Sequence, residues 1–102
     1  MNVVSKHKLR EFWAIHPEAE QALTEWYNRL RKSTPFNFAQ LKDLFNAADF
    51  DTPHTIFDVG GNKYRVIAII DYTGQFTKIR HVFTHKEYDI WSEKKRKGKV
   101  ED

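Results

Sequence analysis

Six consecutive residues, Thr84 to Asp89, read THKEYD and bring together three side chains able to hydrogen-bond or move a proton: His85, Tyr88 and Asp89. Spacings of three and four residues place His85 on one helical face with Tyr88 and Asp89, so all three can converge on one substrate atom. Histidine is the side chain best matched to proton transfer near neutral pH, and a neighbouring carboxylate fixes its tautomer. The same residues also read as a helix start, with Thr84 as cap, Tyr88 packed and the charges in water. The residues by themselves weigh these two readings evenly.

Arg65, Arg80 and His81 fall on two adjacent segments of strand-like composition. One Arg per strand beside a His is a common way to grip phosphate, because guanidinium supplies a planar, permanently charged fork of donors. Taken singly, each Arg is more often an ion pair, with Asp58 and Asp71 as candidate partners. The five histidines, His7, His16, His54, His81 and His85, form no HExxH helix or other compact ligand pattern, and cysteine is absent. A zinc site and a cysteine nucleophile are therefore excluded, and neither a metal nor another cofactor is expected. Gly60 and Gly61 lack the remaining spacing of a phosphate-binding loop and read as a turn.

These residues need elements to position them. Met1 to Val4 reads as a short edge strand, and Ser5 as the N-cap of a helix carrying Leu9, Phe12, Trp13 and His16. Pro17 suits the first turn of a second helix, whose stripe of Ala19, Ala22, Leu23, Trp26, Tyr27 and Leu30 runs to about Lys32. Ser33 to Pro35 is a break, and a short third helix from about Asn37 to Asn46 is expected to turn Phe38, Leu41, Leu44 and Phe45 inward. Asp49 to His54 reads as loop. Beyond it the pattern changes to strands at Thr55 to Val59, Lys63 to Tyr72 and Phe76 to Thr84, joined by turns at Gly60-Gly61-Asn62 and Thr73-Gly74-Gln75. Antiparallel pairing follows. Tyr64, Val66, Ala68 and Ile70 alternate with Ile67 and Ile69, so the middle strand is expected to be central and covered on both faces. Arg65 must then lie at the open end of the sheet or be paired, since an unpaired buried charge is costly. In the third strand alternation groups His81 with Ile79 and Phe83, and Arg80 with Lys78 and Val82.

A chain of 102 residues with 15% aromatic content can close one small core, and a single domain over residues 1–102 is expected. No apolar stretch approaches the roughly 20 residues of a membrane span, which points to a soluble, cytoplasmic protein without membrane contact. Seventeen Lys and Arg against fourteen Asp and Glu give a mild net charge of +3. Lys94, Lys95, Arg96, Lys97 and Lys99 concentrate that excess at the C-terminal end, so about 92–102 reads as a basic, frayed tail.

The run FDVGGNKYRVIAII, Phe57 to Ile70, followed by IRHVFTHKEYD, Ile79 to Asp89, resembles the HigB-type toxins of the RelE superfamily. The resemblance implies an α+β fold in which N-terminal helices pack on a small curved antiparallel sheet with a short C-terminal helix. It implies a toxin of a type II toxin-antitoxin system that cleaves messenger RNA on the ribosome. It also implies an antitoxin partner of the HigA kind, whose helix-turn-helix would make any contact with operator DNA indirect. Residue by residue it carries over to Arg65, Arg80, His85, Tyr88 and Asp89.

Cleavage by a 2′-hydroxyl requires a group that takes its proton, a cation facing the charge that builds on phosphate, and an acid for the departing 5′ oxygen. The expected assignment gives Arg65 and Arg80 the charge, His85 and Tyr88 the proton transfers or base stacking, and Asp89 the orientation of His85. Lys86, His81, Lys94, Lys95, Arg96 and Lys97 are expected to bind RNA. The alternative is a module without catalysis of its own, in which the basic face and tail hold RNA or protein and THKEYD is only a cap.

Overall fold

Among the described residues, apolar side chains at helical spacing in the first half give three helices, β-branched residues in alternation in the second build most of a five-stranded sheet, and a fourth helix follows the last strand. The computed structural model describes residues 1–100; Glu101 and Asp102, the end of the expected tail, lie outside the described residues. The chain runs β1 (Asn2–Val4), α1 (His7–Ile15), a 3-10 turn (Pro17–Ala19), α2 (Glu20–Arg31) and α3 (Phe38–Leu44). It continues through β2 (Ala48–Asp51), β3 (His54–Val59), β4 (Tyr64–Asp71), β5 (Phe76–Thr84) and α4 (His85–Arg96).

Strand order is β1-β5-β4-β3-β2, which puts β4 in the middle. One face buries Tyr64, Val66, Ala68 and Ile79 with Leu9, Leu23, Leu30 and Leu41 from the first three helices. Each fully buried Leu or Ile there contributes about 1.5–3 kcal/mol relative to exposure. The opposite face carries a smaller cluster of Ile56, Ile67 and Trp91, with Phe83, Tyr88 and Val100 packed against it. The central strand is therefore covered on both sides, as its alternation implied.

Several local expectations are corrected. Ser5 does not cap α1: it takes a left-handed φ of 70° and offers its carbonyl to the Lys8 amide, while Lys6 occupies the cap position. Asp49 to His54 is not all loop, because Ala48–Asp51 forms an edge strand on β3, with the turn at Thr52-Pro53, a cis peptide. Edge strands tolerate Asp and Pro, which is why the pattern hid it. Leu44 is 37% exposed and not inward, whereas Leu41 and Phe45 are buried. The sheet is mixed: β1 joins β5 in parallel, Asn2 opposite Phe76, an arrangement that no hairpin signal announces.

The third strand departs from simple alternation. Ile67 faces His81 but Ala68 faces Ile79, leaving Arg80 as the extra residue of a β-bulge. Past the bulge the parity reverses, so Ile79 joins the helix-side core while His81 and Phe83 face α4, correcting the grouping of His81 with Ile79.

Candidate active site

Helix α4 starts where β5 ends, and its first turn is fixed by a capping box. The Thr84 hydroxyl accepts from the Glu87 amide at 3.2 Å, and the Glu87 carboxylate accepts from the Thr84 amide at 2.8 Å. The capping role thus falls to Thr84 and Glu87, and it uses none of His85, Tyr88 and Asp89. The His85 amide donates to the Lys63 carbonyl at 3.0 Å, which ties the start of α4 to the entrance of β4.

Within that turn His85 Nδ1 lies 3.1 Å from Asp89 Oδ2, both side chains being about half exposed at 48% and 62%. A carboxylate on Nδ1 holds the ring in one orientation and leaves Nε2 for exchange with a ligand. Tyr88 is half-buried, its ring tilted against Trp91 at 6.1 Å.

Arg65 lies beneath Tyr88, its guanidinium carbon 5.4 Å from the ring centroid. It is 6% exposed, which makes it a buried cation. Asp58, directly opposite on β3, meets Nε at 2.9 Å, so the partner the composition suggested is the one it has. Nη1 donates to the carbonyls of Asn62 at 3.3 Å and Tyr64 at 3.1 Å, and Nη2 donates to Asn62 Oδ1 at 2.6 Å. Asp71, the other candidate partner, accepts instead from the Gly74 amide within its own turn. Asn62 was legible only as a turn residue, although it stands three positions before Arg65 in the NKYR run.

The fold therefore brings Arg65, His85, Tyr88 and Asp89 to one end of the sheet, with Lys86 exposed on the same helical turn. Arg80 and His81 sit further along β5. His81 stacks on Phe83 with centroids 5.1 Å apart and leans on Trp91 at 5.7 Å, and burial pushes its ring below the ordinary imidazole range. Together with Lys8, Glu11, Phe83 and Glu87, Arg80 and His81 line an open groove of about 390 Å³ between α1 and β5 that reaches the first turn of α4.

The basic residues of the expected tail are elsewhere. Lys94, Lys95 and Arg96 form the last turn of α4, and at 1.5 Å per residue a helix of 12 residues carries them about 15 Å from its first turn. Lys95 folds back on β2, with Nζ 2.5 Å from the Asp51 carbonyl and 3.4 Å from its carboxylate. Lys97 pairs with Glu93 at 3.3 Å. Trp91, unremarked in the sequence, anchors the helix against His54, His81 and Phe83.

Comparison with known proteins agrees with this architecture. Residues 19–91 match the family described as HigB_toxin, RelE-like toxic component of a toxin-antitoxin system. The chain is 32% identical over 103 aligned residues to the mRNA interferase toxin HigB of Escherichia coli K12, covering 97% of this chain and 99% of the relative. The mRNA interferase HigB of Shigella flexneri matches equally, and that of Escherichia coli O6:H1 is 31% identical over 93 residues, 87% of this chain and 89% of the relative. With a family match across most of its length and near-complete alignment to such relatives, the chain belongs to the HigB family of RelE-like toxins, the toxic components of toxin-antitoxin systems.

Proposed function

We propose that this protein is a ribosome-dependent messenger RNA endoribonuclease that cleaves by attack of a 2′-hydroxyl on the adjacent phosphodiester. The observation that carries this reading is the exposed His85–Asp89 pair, 3.1 Å apart, on the same helical turn as Tyr88 above a buried Arg65. In the reaction the O2′–P bond forms and the P–O5′ bond breaks. The 2′ proton passes to a base, an acid protonates O5′, and the products are a 2′,3′-cyclic phosphate and a 5′-hydroxyl. His85 and Tyr88 carry the two proton transfers, and Asp89 orients His85.

Needing the 2′-hydroxyl as nucleophile makes RNA, not DNA, the substrate. Arg80, placed by its bulge at the groove, and Lys86 supply cationic donors toward phosphate. Arg65, engaged on every nitrogen, acts electrostatically from beneath Tyr88. His81, stacked on Phe83, offers a ring surface to a neighbouring base. Lys94, Arg96 and Lys97 meet ribosomal RNA by charge alone, and Lys95 contributes to the same field from its seat on β2. The partner is a helix-turn-helix antitoxin of the HigA kind, through which alone the chain meets operator DNA, and the site of action is the cytoplasm.

Mapping fragment ends on translated and untranslated copies of one messenger tests this reading. Cyclic phosphate ends on the translated copy alone are expected. Absence of new ends on either would favour a binder without catalysis, and equal cutting of both would remove the ribosome from the account.

A further inference from the structure

Resting on that assignment of Tyr88, we infer that Asn62 and Asp58 are positioning residues for the cleavage reaction, holding the Arg65 guanidinium in the one orientation that supports the Tyr88 ring. The β3–β4 turn makes this possible. Gly60 and Gly61 both adopt left-handed φ, at 68° and 69°, and this turns the chain so that the Asn62 carbonyl and side-chain oxygen both reach back to Arg65. Asp58, last but one in β3, closes the opposite side through Nε. The guanidinium thus sits in a cradle of oxygens, with an aromatic face at 5.4 Å.

Such a cradle exceeds what packing requires. Ile56 and Ile67 flank Arg65 on this sheet face, with His54 and His81 further along it against Trp91, and an aliphatic residue would fill the position without desolvating a charge. A planar cation held edge-on by fixed acceptors does something an aliphatic residue cannot. It presents a permanent positive charge at a defined place under a phenol, where a cation and an aromatic face attract. Free to rotate, the guanidinium would lose that alignment, and Tyr88 would lose its support.

Because Asn62 is exposed, Asn62→Ala removes one acceptor without opening the core. Single-turnover cleavage of ribosome-bound messenger should then fall about tenfold in kcat with KM within about twofold, the size of effect produced by losing one hydrogen bond to a charged group. Asn62→Asp keeps the acceptor and should restore the rate. The decisive arm combines Asn62→Ala with Tyr88→Ala: a residue acting through Tyr88 adds no further loss once Tyr88 is gone. Asp58→Ala, which removes the acceptor at Nε, should behave like Asn62→Ala, with thermal melting as the control for folding. Additive losses in the double variant, or a change confined to KM, would overturn the positioning role while leaving Tyr88 as a catalytic residue. A wild-type rate for Tyr88→Ala alone would overturn the assignment of Tyr88 itself, and the positioning role with it.

Discussion

Arg65 couples local sequence to site chemistry through geometry that spacing does not encode. That it must be paired was legible from its place beside Ile67, and Asp58 was a candidate partner because β3 and β4 are joined by a short turn. The contribution of Asn62 was not legible, because where a turn side chain points depends on the φ of Gly60 and Gly61. The geometry separates charge from shape. Arg65→Lys keeps the charge but replaces a fork bonded on three nitrogens with a single ammonium. Cleavage by Arg65→Lys is expected to fall nearly as far as in Arg65→Ala, measured as single-turnover rate. A wild-type rate for the Lys variant would mean that charge alone suffices. His85, Tyr88 and Asp89 were legible as a group because a helical turn has a fixed period, and the helix they predicted begins at His85.

At the level of elements, α4 must dock correctly for the site to exist, and its anchor is Trp91, which lies within ring-contact distance of His54, His81 and Phe83. Burial holds both histidine rings below the ordinary value of 6.5, with Lys95 opposing the charged form of His54 and Lys8 that of His81. A base whose folded pKa is lowered is held neutral by the fold. Its contribution is complete above the unfolded value near 6.5 and is lost as pH falls below it. The urea midpoint, followed by tryptophan fluorescence, should hold steady from about pH 8 to 7 and decline from about pH 6.5 to 5. Changing both His54 and His81 to Gln should flatten that decline, and an acid limb unchanged by the substitutions would contradict the assignment. None of this was visible in the sequence, because β2 was hidden by its two Asp residues and the Pro of the turn that follows it, and the bulge at Arg80 reversed the parity of β5. A period-two reading carries no information about an inserted residue.

Across the whole molecule the net charge of +3 is modest, and its placement decides how it acts. The C-terminal basic run is a helix end, with Lys95 bound to Asp51 and Val100 packed on the second cluster, so deleting it would damage the fold. Point substitutions are the cleaner probe. Changing Lys94, Arg96 and Lys97 to Gln should weaken ribosome binding and reduce the slope of log affinity against log salt by about 2, at about 0.7–0.9 per lost phosphate contact. The rate at saturation should stay unchanged, and an unaltered slope would show that this helix end does not touch RNA. The α+β class, the central strand and the two-sided cover of the sheet were legible, since each follows from periodicity; the parallel β1 was not, because long-range pairing leaves no local mark. Everything converges on whether the α4 entrance, with Arg65 beneath it, is where the phosphodiester is broken. The most direct measurement is the single-turnover cleavage rate of ribosome-bound messenger by His85→Ala, at a melting temperature matching the unsubstituted protein. The expected result is a loss of about 100-fold to 1,000-fold, the usual consequence of removing one proton-transfer or charge-stabilising group. A folded His85→Ala protein that cleaves at the wild-type rate would contradict the account.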